Sequence, residues 1–396
     1  MTGNEIKRLD SDHVMQTYAR FDAVIDHGEG ATLFSPEGRE FIDFTSGIGV
    51  NSIGYGNKKW ADAIYAQALK LQHISNLYYS ESYAKLACML TSRTGMENVF
   101  FANSGAEANE GMIKLARKYS FEKYGPGRNE IITLVKSFHG RTVTTLAATG
   151  QDSFHKYFFP FTEGFRHVPA NDFAALENGI TDSVCAVMIE LVQGEGGVLP
   201  LDAGYVKAVE KLCKERDVLL LIDEVQTGAG RTGTLFAYQQ YGVAPDVISF
   251  AKGIAGGLPL GGMMAGEKCG GTLGAGDHAA TFGGNPISAA AAAEVLNQLT
   301  PELLDEVVAK GDYIRKTVAG WELPCLGAVR GCGLMLGLPL VGAAPKAVAA
   351  ACVQSGLLIL TAGADALRML PPLTISYDEL DKGLAILKTV LEDLSK

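Results

Sequence analysis

Along the middle of the chain, short runs that are apolar at every position alternate with longer stretches of helical spacing. Val99–Ala102, Ile131–Val135, Cys185–Leu191, Val218–Asp223, Val247–Ala251 and Gly261–Ala265 read as strands. Gly105–Lys123 and Tyr205–Arg216 are the clearest helices between them. A strand covered on one face alternates apolar and polar, whereas a run apolar throughout needs cover on both faces. The pattern therefore predicts an α/β unit with a mostly parallel sheet between helical layers, over residues 50–290.

Beyond Pro286 the rhythm changes. Helical stretches at Ser288–Gln298 and Glu302–Ala319 lead into a glycine-punctuated strand region, Ala328–Leu338. A further helix, a strand at Leu357–Thr361 and an amphipathic helix from Tyr377 complete it. Near the start, Ala31–Phe34 and Glu40–Phe44 are strand-like and flank a Ser-Pro-Glu-Gly turn. The expectation is a large domain over 50–290 and a smaller α+β domain built from 1–49 and 291–396.

Composition narrows the classes. The 396 residues exceed one ordinary domain of ~100–200 residues. A formal charge of −10 argues against a nucleic-acid surface. Seven cysteines, odd in number and never in a Cys-x-x-Cys pair, suggest free thiols in a reducing compartment. The opening MTGNEIKRLDSD lacks the apolar core of a secretion signal. The uncharged stretch from Ala347 to Ala364 is interrupted by Gln354, Ser355, Gly356, Thr361 and Gly363, unlike a membrane span. A cytoplasmic protein that binds neither membrane nor nucleic acid is expected. The histidines show no ligand spacing, so no metal site is expected either.

Glycine is in excess, and twelve glycines fall between Gly253 and Gly284, marking a functional loop region. Two motifs mislead. Gly228-Ala-Gly230-Arg-Thr-Gly233 matches a dinucleotide fingerprint, but aromatic, β-leaning residues follow where a helix should open. Leu219–Glu224 looks like a nucleotide-hydrolase strand, yet the dipeptide Gly-Lys occurs nowhere in the chain.

Three other places carry chemistry. At Asn103-Ser104-Gly105-Ala106-Glu107 a strand yields to a helix, with capping-box spacing and small residues that leave backbone N–H groups open to a phosphate. Asp223 and Glu224 emerge from the end of an apolar strand, where a carboxylate needs a cation or a donor: Arg231 in a plain salt bridge, or a protonated ring nitrogen. Lys252 ends another strand just before glycine, and could be a desolvated amine able to condense with a carbonyl. A phosphate cradle, a ring-nitrogen carboxylate and a lysine amine are the handles pyridoxal phosphate requires.

The chain resembles the class III, fold-type I pyridoxal-phosphate-dependent aminotransferases along nearly its whole length, and most closely the acetylornithine aminotransferases. The resemblance rests on NSGAEANE (103–110), SFHGRT (137–142), VQGEGG (192–197), LLIDEVQTGAGRTG (220–233), FAKGIAGGLPLGG (250–262), TFGGNP (281–286) and LRMLPPL (367–373). Each is weak alone; seven in the family's order are specific.

What the resemblance implies can be set out position by position. Lys252 would hold the cofactor and then move the substrate proton, and Asp223 would hold the pyridinium N–H. Val225 and Phe138 would cover the two ring faces, and Gln226 would bond the 3′-oxygen. Ser104, Gly105 and Ala106 would form the phosphate cradle, with Thr281 reaching the phosphate of a neighbouring subunit in a homodimer. Arg368 would bind the α-carboxylate of glutamate or 2-oxoglutarate, with Glu195 pairing it when the other substrate is bound. Arg141 would grip the carboxylate of the ornithine-type substrate. The implied reaction is transfer of the δ-amino group of N2-acetylornithine to 2-oxoglutarate, a step in arginine biosynthesis. Ornithine, succinylornithine or 4-aminobutyrate aminotransferases share these motifs, as does glutamate-semialdehyde aminomutase. The chain departs from the family at Gly54–Lys59, near the expected substrate entrance; Tyr18 and Ser75–Tyr78 look family-like.

Overall fold

In a computed structural model, which describes residues 1–394, seven strands form the central sheet. They are β1 (Asn98–Ala102), β2 (Glu130–Leu134), β3 (Phe165–Val168), β4 (Val184–Ile189), β5 (Leu219–Asp223), β6 (Val247–Phe250) and β7 (Gly261–Ala265). Their order is β1-β7-β6-β5-β4-β2-β3. Only β7 runs against its neighbours, so the sheet is mostly parallel and the other six strands end at one edge. Every residue of β4, β5 and β6 is buried, as runs apolar throughout require.

Six strands fall within a residue or two of expectation, and β3 is additional. Its sequence, FRHV, carries an arginine and a histidine and is only half-buried at the sheet edge, so no apolar run announces it. Helix α1 (Gly105–Tyr124) packs on β7 and β6 and starts where β1 ends. Ser104 caps it, its hydroxyl accepting the Glu107 N–H at 3.2 Å and donating to the Glu107 carboxylate at 3.1 Å.

The chain's two ends meet in smaller sheets. Leu357–Leu358 pairs in parallel with Glu40–Asp43, which continues through Thr32–Phe34 to His27–Glu29. Arg330–Cys332, Met335–Pro339, Ala366–Met369 and Leu360–Ala362 form a second sheet. The single strand expected at Leu357–Thr361 is thus two, divided between the two sheets. Ala366–Met369 escaped the hydrophobic reading because a buried arginine, Arg368, sits in its middle. An amphipathic helix, Tyr377–Leu394, closes the chain over the strand at Glu40–Asp43. Among the described residues, no helix is long and apolar enough to cross a membrane.

Candidate active site

The loops leaving the C-terminal edge of β1, β2, β4, β5 and β6 surround a cavity of about 640 Å³. Ligands bind at this edge of an open α/β sheet because the loops there diverge around a crevice. Its lining brings together Ser104, Gly105, Ala106, Phe138, Arg141, Asp223, Val225, Gln226 and Lys252, all predicted from sequence, together with Tyr18. None of Gly54–Lys59 lines it; Asn57 instead caps the helix Lys58–Lys70, and the Tyr55 hydroxyl donates to Asp43 at 2.8 Å.

Asp223 stands at the end of β5, 4 % exposed. One carboxylate oxygen accepts from Asn109 Nδ2 at 2.7 Å and lies 2.8 Å from His139 Nδ1. The other accepts from the Val225 N–H at 3.0 Å and the Ser249 hydroxyl at 3.3 Å. Three donors and the His139 ring nitrogen surround the buried carboxylate and offset its cost, and Arg231 is not among them. The salt-bridge alternative to Arg231 therefore does not hold.

Lys252 follows β6, with φ of +46°, and lines the cavity. Burial lowers its affinity for a proton, against the opposing charge of Glu195. An amine whose proton affinity is lowered by burial is more readily the free base, which is the nucleophilic and proton-accepting form.

The N–H groups of Gly105 and Ala106 open α1 and have no carbonyl within the helix to bond. A Cβ on Gly105 would lie 2.7 Å from Val225 Cγ1, so glycine is what lets the helix start and the Val225 side chain share one wall. A helix N-terminus with free N–H groups suits a phosphate. Its Ser104 hydroxyl serves the cap as well.

Glu195 and Arg368 lie outside the cavity lining and meet beside Gln226, which belongs to it. Arg368 Nη1 donates to Glu195 at 2.5 Å and to Gln226 Oε1 at 3.1 Å, with Arg368 3 % exposed. Burial pushes Glu195 up, but the charge and hydrogen bond of Arg368 outweigh it and hold the carboxyl below its ordinary range. Arg141 is exposed, its guanidinium 3.9 Å from the Phe154 ring centroid and 5.5 Å from that of Phe138. Thr281 lies outside the cavity lining, on the surface beside Phe282.

Three residues of the site went unassigned in the sequence. Asn109 and His139 lie inside recognised motifs and hold Asp223. Glu190 accepts the Phe138 N–H at 2.8 Å and the Gly194 N–H at 3.3 Å, joining the loops that carry Phe138 and Glu195. Burial raises its pKa to about 7. A carboxylate at the end of β4, just as Asp223 ends β5, was the available signal.

The model for the aminotransferase class III family matches residues 14–391. The chain is a class III aminotransferase. Over 396 residues, and the whole of both chains, it is 51 % identical to the acetylornithine aminotransferase of Haemophilus ducreyi. Among solved structures it is similar to the N-acetylornithine aminotransferase of Stenotrophomonas maltophilia, with a TM-score of 0.85 and 37 % identity over 98 % of each chain. The ornithine aminotransferase of Toxoplasma gondii gives a TM-score of 0.95 at 29 % identity, covering 100 % of this chain and 96 % of that one. Fold-type I architecture and pyridoxal phosphate dependence come with the family. The residues of this aminotransferase fit that group: a glycine-walled helix start for its phosphate, a buried carboxylate for its ring nitrogen and a desolvated amine for its carbonyl.

Proposed function

We propose that this aminotransferase moves the δ-amino group of N2-acetylornithine to 2-oxoglutarate, giving N-acetylglutamate 5-semialdehyde and glutamate in arginine biosynthesis. When bound, pyridoxal phosphate supplies an electron sink and the carbonyl that carries the amino group between half-reactions. Lys252 holds it and then, as a free amine, takes a proton from the substrate carbon that bears the nitrogen. Asp223 keeps the ring nitrogen protonated, with Asn109 and His139 steadying the carboxylate. Val225 and Phe138 cover the ring faces, Gln226 bonds its 3′-oxygen, and Ser104, Gly105 and Ala106 hold the phosphate.

The observation that carries the reading is the Arg368–Glu195 pair. Neutralised by Glu195, Arg368 tolerates a donor that brings no second carboxylate to that subsite. Released from Glu195, it grips the α-carboxylate of 2-oxoglutarate or glutamate, while Arg141 holds the donor's carboxylate. The likeness to ornithine aminotransferases supports free ornithine as a second donor. Side-by-side kcat/KM for acetylated, succinylated and free ornithine and 4-aminobutyrate, each with 2-oxoglutarate, tests the assignment. A preference for unacylated ornithine overturns it, and turnover without any oxoacid favours an aminomutase.

The proposal includes a cytoplasmic homodimer. Leu77, Tyr79 and Phe282 are 87 %, 105 % and 60 % exposed in the single chain, an apolar surface of the kind a second subunit covers. Asn76 bonds the carbonyls of Ala280 and Gly283 on either side of Phe282, joining the two segments, and Thr281 projects from the same surface to serve the neighbour's phosphate. The division at residues 50 and 290 belongs to the same proposal.

A further inference from the structure

The turn from Gly228 to Gly233, which imitates a dinucleotide fingerprint, lines no part of the cavity. Its Arg231 is nonetheless 2 % exposed. Nη1 donates to the carbonyls of Leu334 at 3.1 Å and Pro371 at 2.5 Å. Nη2 lies 3.4 Å from the Ser46 hydroxyl, which itself donates to the Leu370 carbonyl at 2.6 Å. The Leu334 N–H returns a bond to the Arg231 carbonyl at 3.1 Å. Among the described residues the guanidinium makes no ion pair; burial pushes it down to about 9, with the charge of Asp43 opposing. A cation buried without a carboxylate partner is costly unless its donors are met, and here two main-chain carbonyls and the Ser46 hydroxyl meet those of both Nη1 and Nη2.

Those carbonyls are placed with respect to Arg368. Leu334 precedes the strand Met335–Pro339, and Pro371 follows shortly after Ala366–Met369. The two strands are antiparallel, Leu336 facing Met369 and Gly337 facing Arg368. Arg231 therefore grips both strands at the same end, beside the pair that contains Arg368. Close approach depends on Gly333, where φ is +50° and a Cβ would lie 2.7 Å from the Thr232 carbonyl carbon. The same segment, 223–233, supplies Asp223 and Val225 to the cavity, and Gln226 to the head of Arg368. Arg141 stands on a different loop and rests on Phe138 and Phe154, independent of this grip.

We propose that Arg231 is a positioning residue for the acceptor subsite: by holding Leu334 and Pro371 it fixes Arg368 relative to Asp223 and Lys252. It thereby sets the affinity for a dicarboxylic 2-oxoacid that it never touches. The inference rests on the reading that Arg368 binds the acceptor's carboxylate. A displacement near 1 Å at a positioned group costs up to ~10²-fold, so loss of the grip is visible in binding.

The test uses cofactor-loaded Arg231→Met, Arg231→Lys, Ser46→Ala and Arg368→Lys. Four quantities are read: KM for 2-oxoglutarate, Kd for unreactive glutarate from the cofactor's absorbance, the single-turnover rate with the amino donor, and Tm. Arg231→Met raises KM for 2-oxoglutarate and Kd for glutarate about tenfold or more and leaves the donor half-reaction within about twofold. Arg231→Lys, which keeps one donor head, falls between, and Ser46→Ala shows a rise of about two- to threefold. Should Arg231→Met not fold, the milder pair decides. Equal loss in both half-reactions, or unmoved acceptor constants in folded Arg231→Lys and Ser46→Ala, overturns the proposal. If Arg368→Lys leaves the acceptor constants unmoved, the parent reading fails with it; if only Arg368→Lys weakens them, this inference alone fails.

Discussion

Glu195 and Arg368 lie 173 residues apart in sequence and meet as a pair at 2.5 Å, drawn from the loop after β4 and from a strand of the small sheet. Arg368 also donates to Gln226 at 3.1 Å, so on the proposed release of Glu195 its head would keep one partner. The pair can therefore open without leaving the guanidinium adrift.

Glu195→Gln removes the charge that masks Arg368 while preserving shape. Glutamate then competes better as an amino donor, its kcat/KM rising about tenfold, equivalent to ~1.4 kcal/mol. The value for the acylated donor falls by a similar factor. Steady-state kinetics with both donors checks this; unchanged selectivity contradicts a gating role for Glu195.

Lys252→Ala removes both the tether and the base. Activity falls by at least about 10³-fold, within the range for loss of a general base combined with loss of a covalent link. The visible absorbance of the bound cofactor changes with it, while far-ultraviolet circular dichroism stays the same. A variant that keeps wild-type turnover and spectrum rules out position 252 as the anchor.

Gly105→Ala forces a methyl to within 2.7 Å of Val225 Cγ1. The backbone at Gly105 is ordinary helix, so the cost comes from the clash, about 1–3 kcal/mol for overpacking, and not from strain in φ. Cofactor affinity drops with the displaced helix start. Dialysis followed by absorbance titration measures it, and adding Val225→Ala, which removes the clashing Cγ1, restores most of the lost Tm.

Two buried acids give the fold a pH dependence. Burial raises Glu190 and Glu224 each to about 7 from 4.5, the effect on Glu224 opposed by bonds from Thr227 and from the Tyr238 N–H. A carboxyl raised in the folded state holds its proton there at a pH where the unfolded chain has lost it. Its contribution is therefore full below pH 4.5 and declines as pH rises towards and through 7. Glu224→Gln, whose amide can donate to the Thr227 hydroxyl, raises Tm at pH 8 and changes it little at pH 5. A Tm difference independent of pH contradicts the assignment.

Much of the site was legible because its signals are local. Capping spacing at Ser104–Glu107, a carboxylate leaving an apolar strand at Asp223 and a lysine leaving another at Lys252 are all written within a few residues. The partners that make these groups work are remote. Asn109 reaches Asp223 across 114 positions, His139 across 84, and Glu190 reaches the Phe138 N–H across 52. No periodicity links such pairs. Edge strand β3 and the arginine-bearing strand Ala366–Met369 were missed for the complementary reason: their side chains do not follow the apolar rule.

The amino-acid order by itself determined the layered α/β core, since runs such as Leu219–Ile222 can be buried on both faces only inside a covered parallel sheet. It also determined which chemical groups stand at strand ends, because a chain leaving an apolar strand must put its next polar residue at the sheet edge. The tertiary structure alone decided the pairings of His139 with Asp223 and of Arg231 with the carbonyls of Leu334 and Pro371, and it brought within reach the Glu195–Arg368 pair that the resemblance implied. Hydrogen bonds and ion pairs act over about 3 Å, and that distance between remote residues exists only after the sheets have packed.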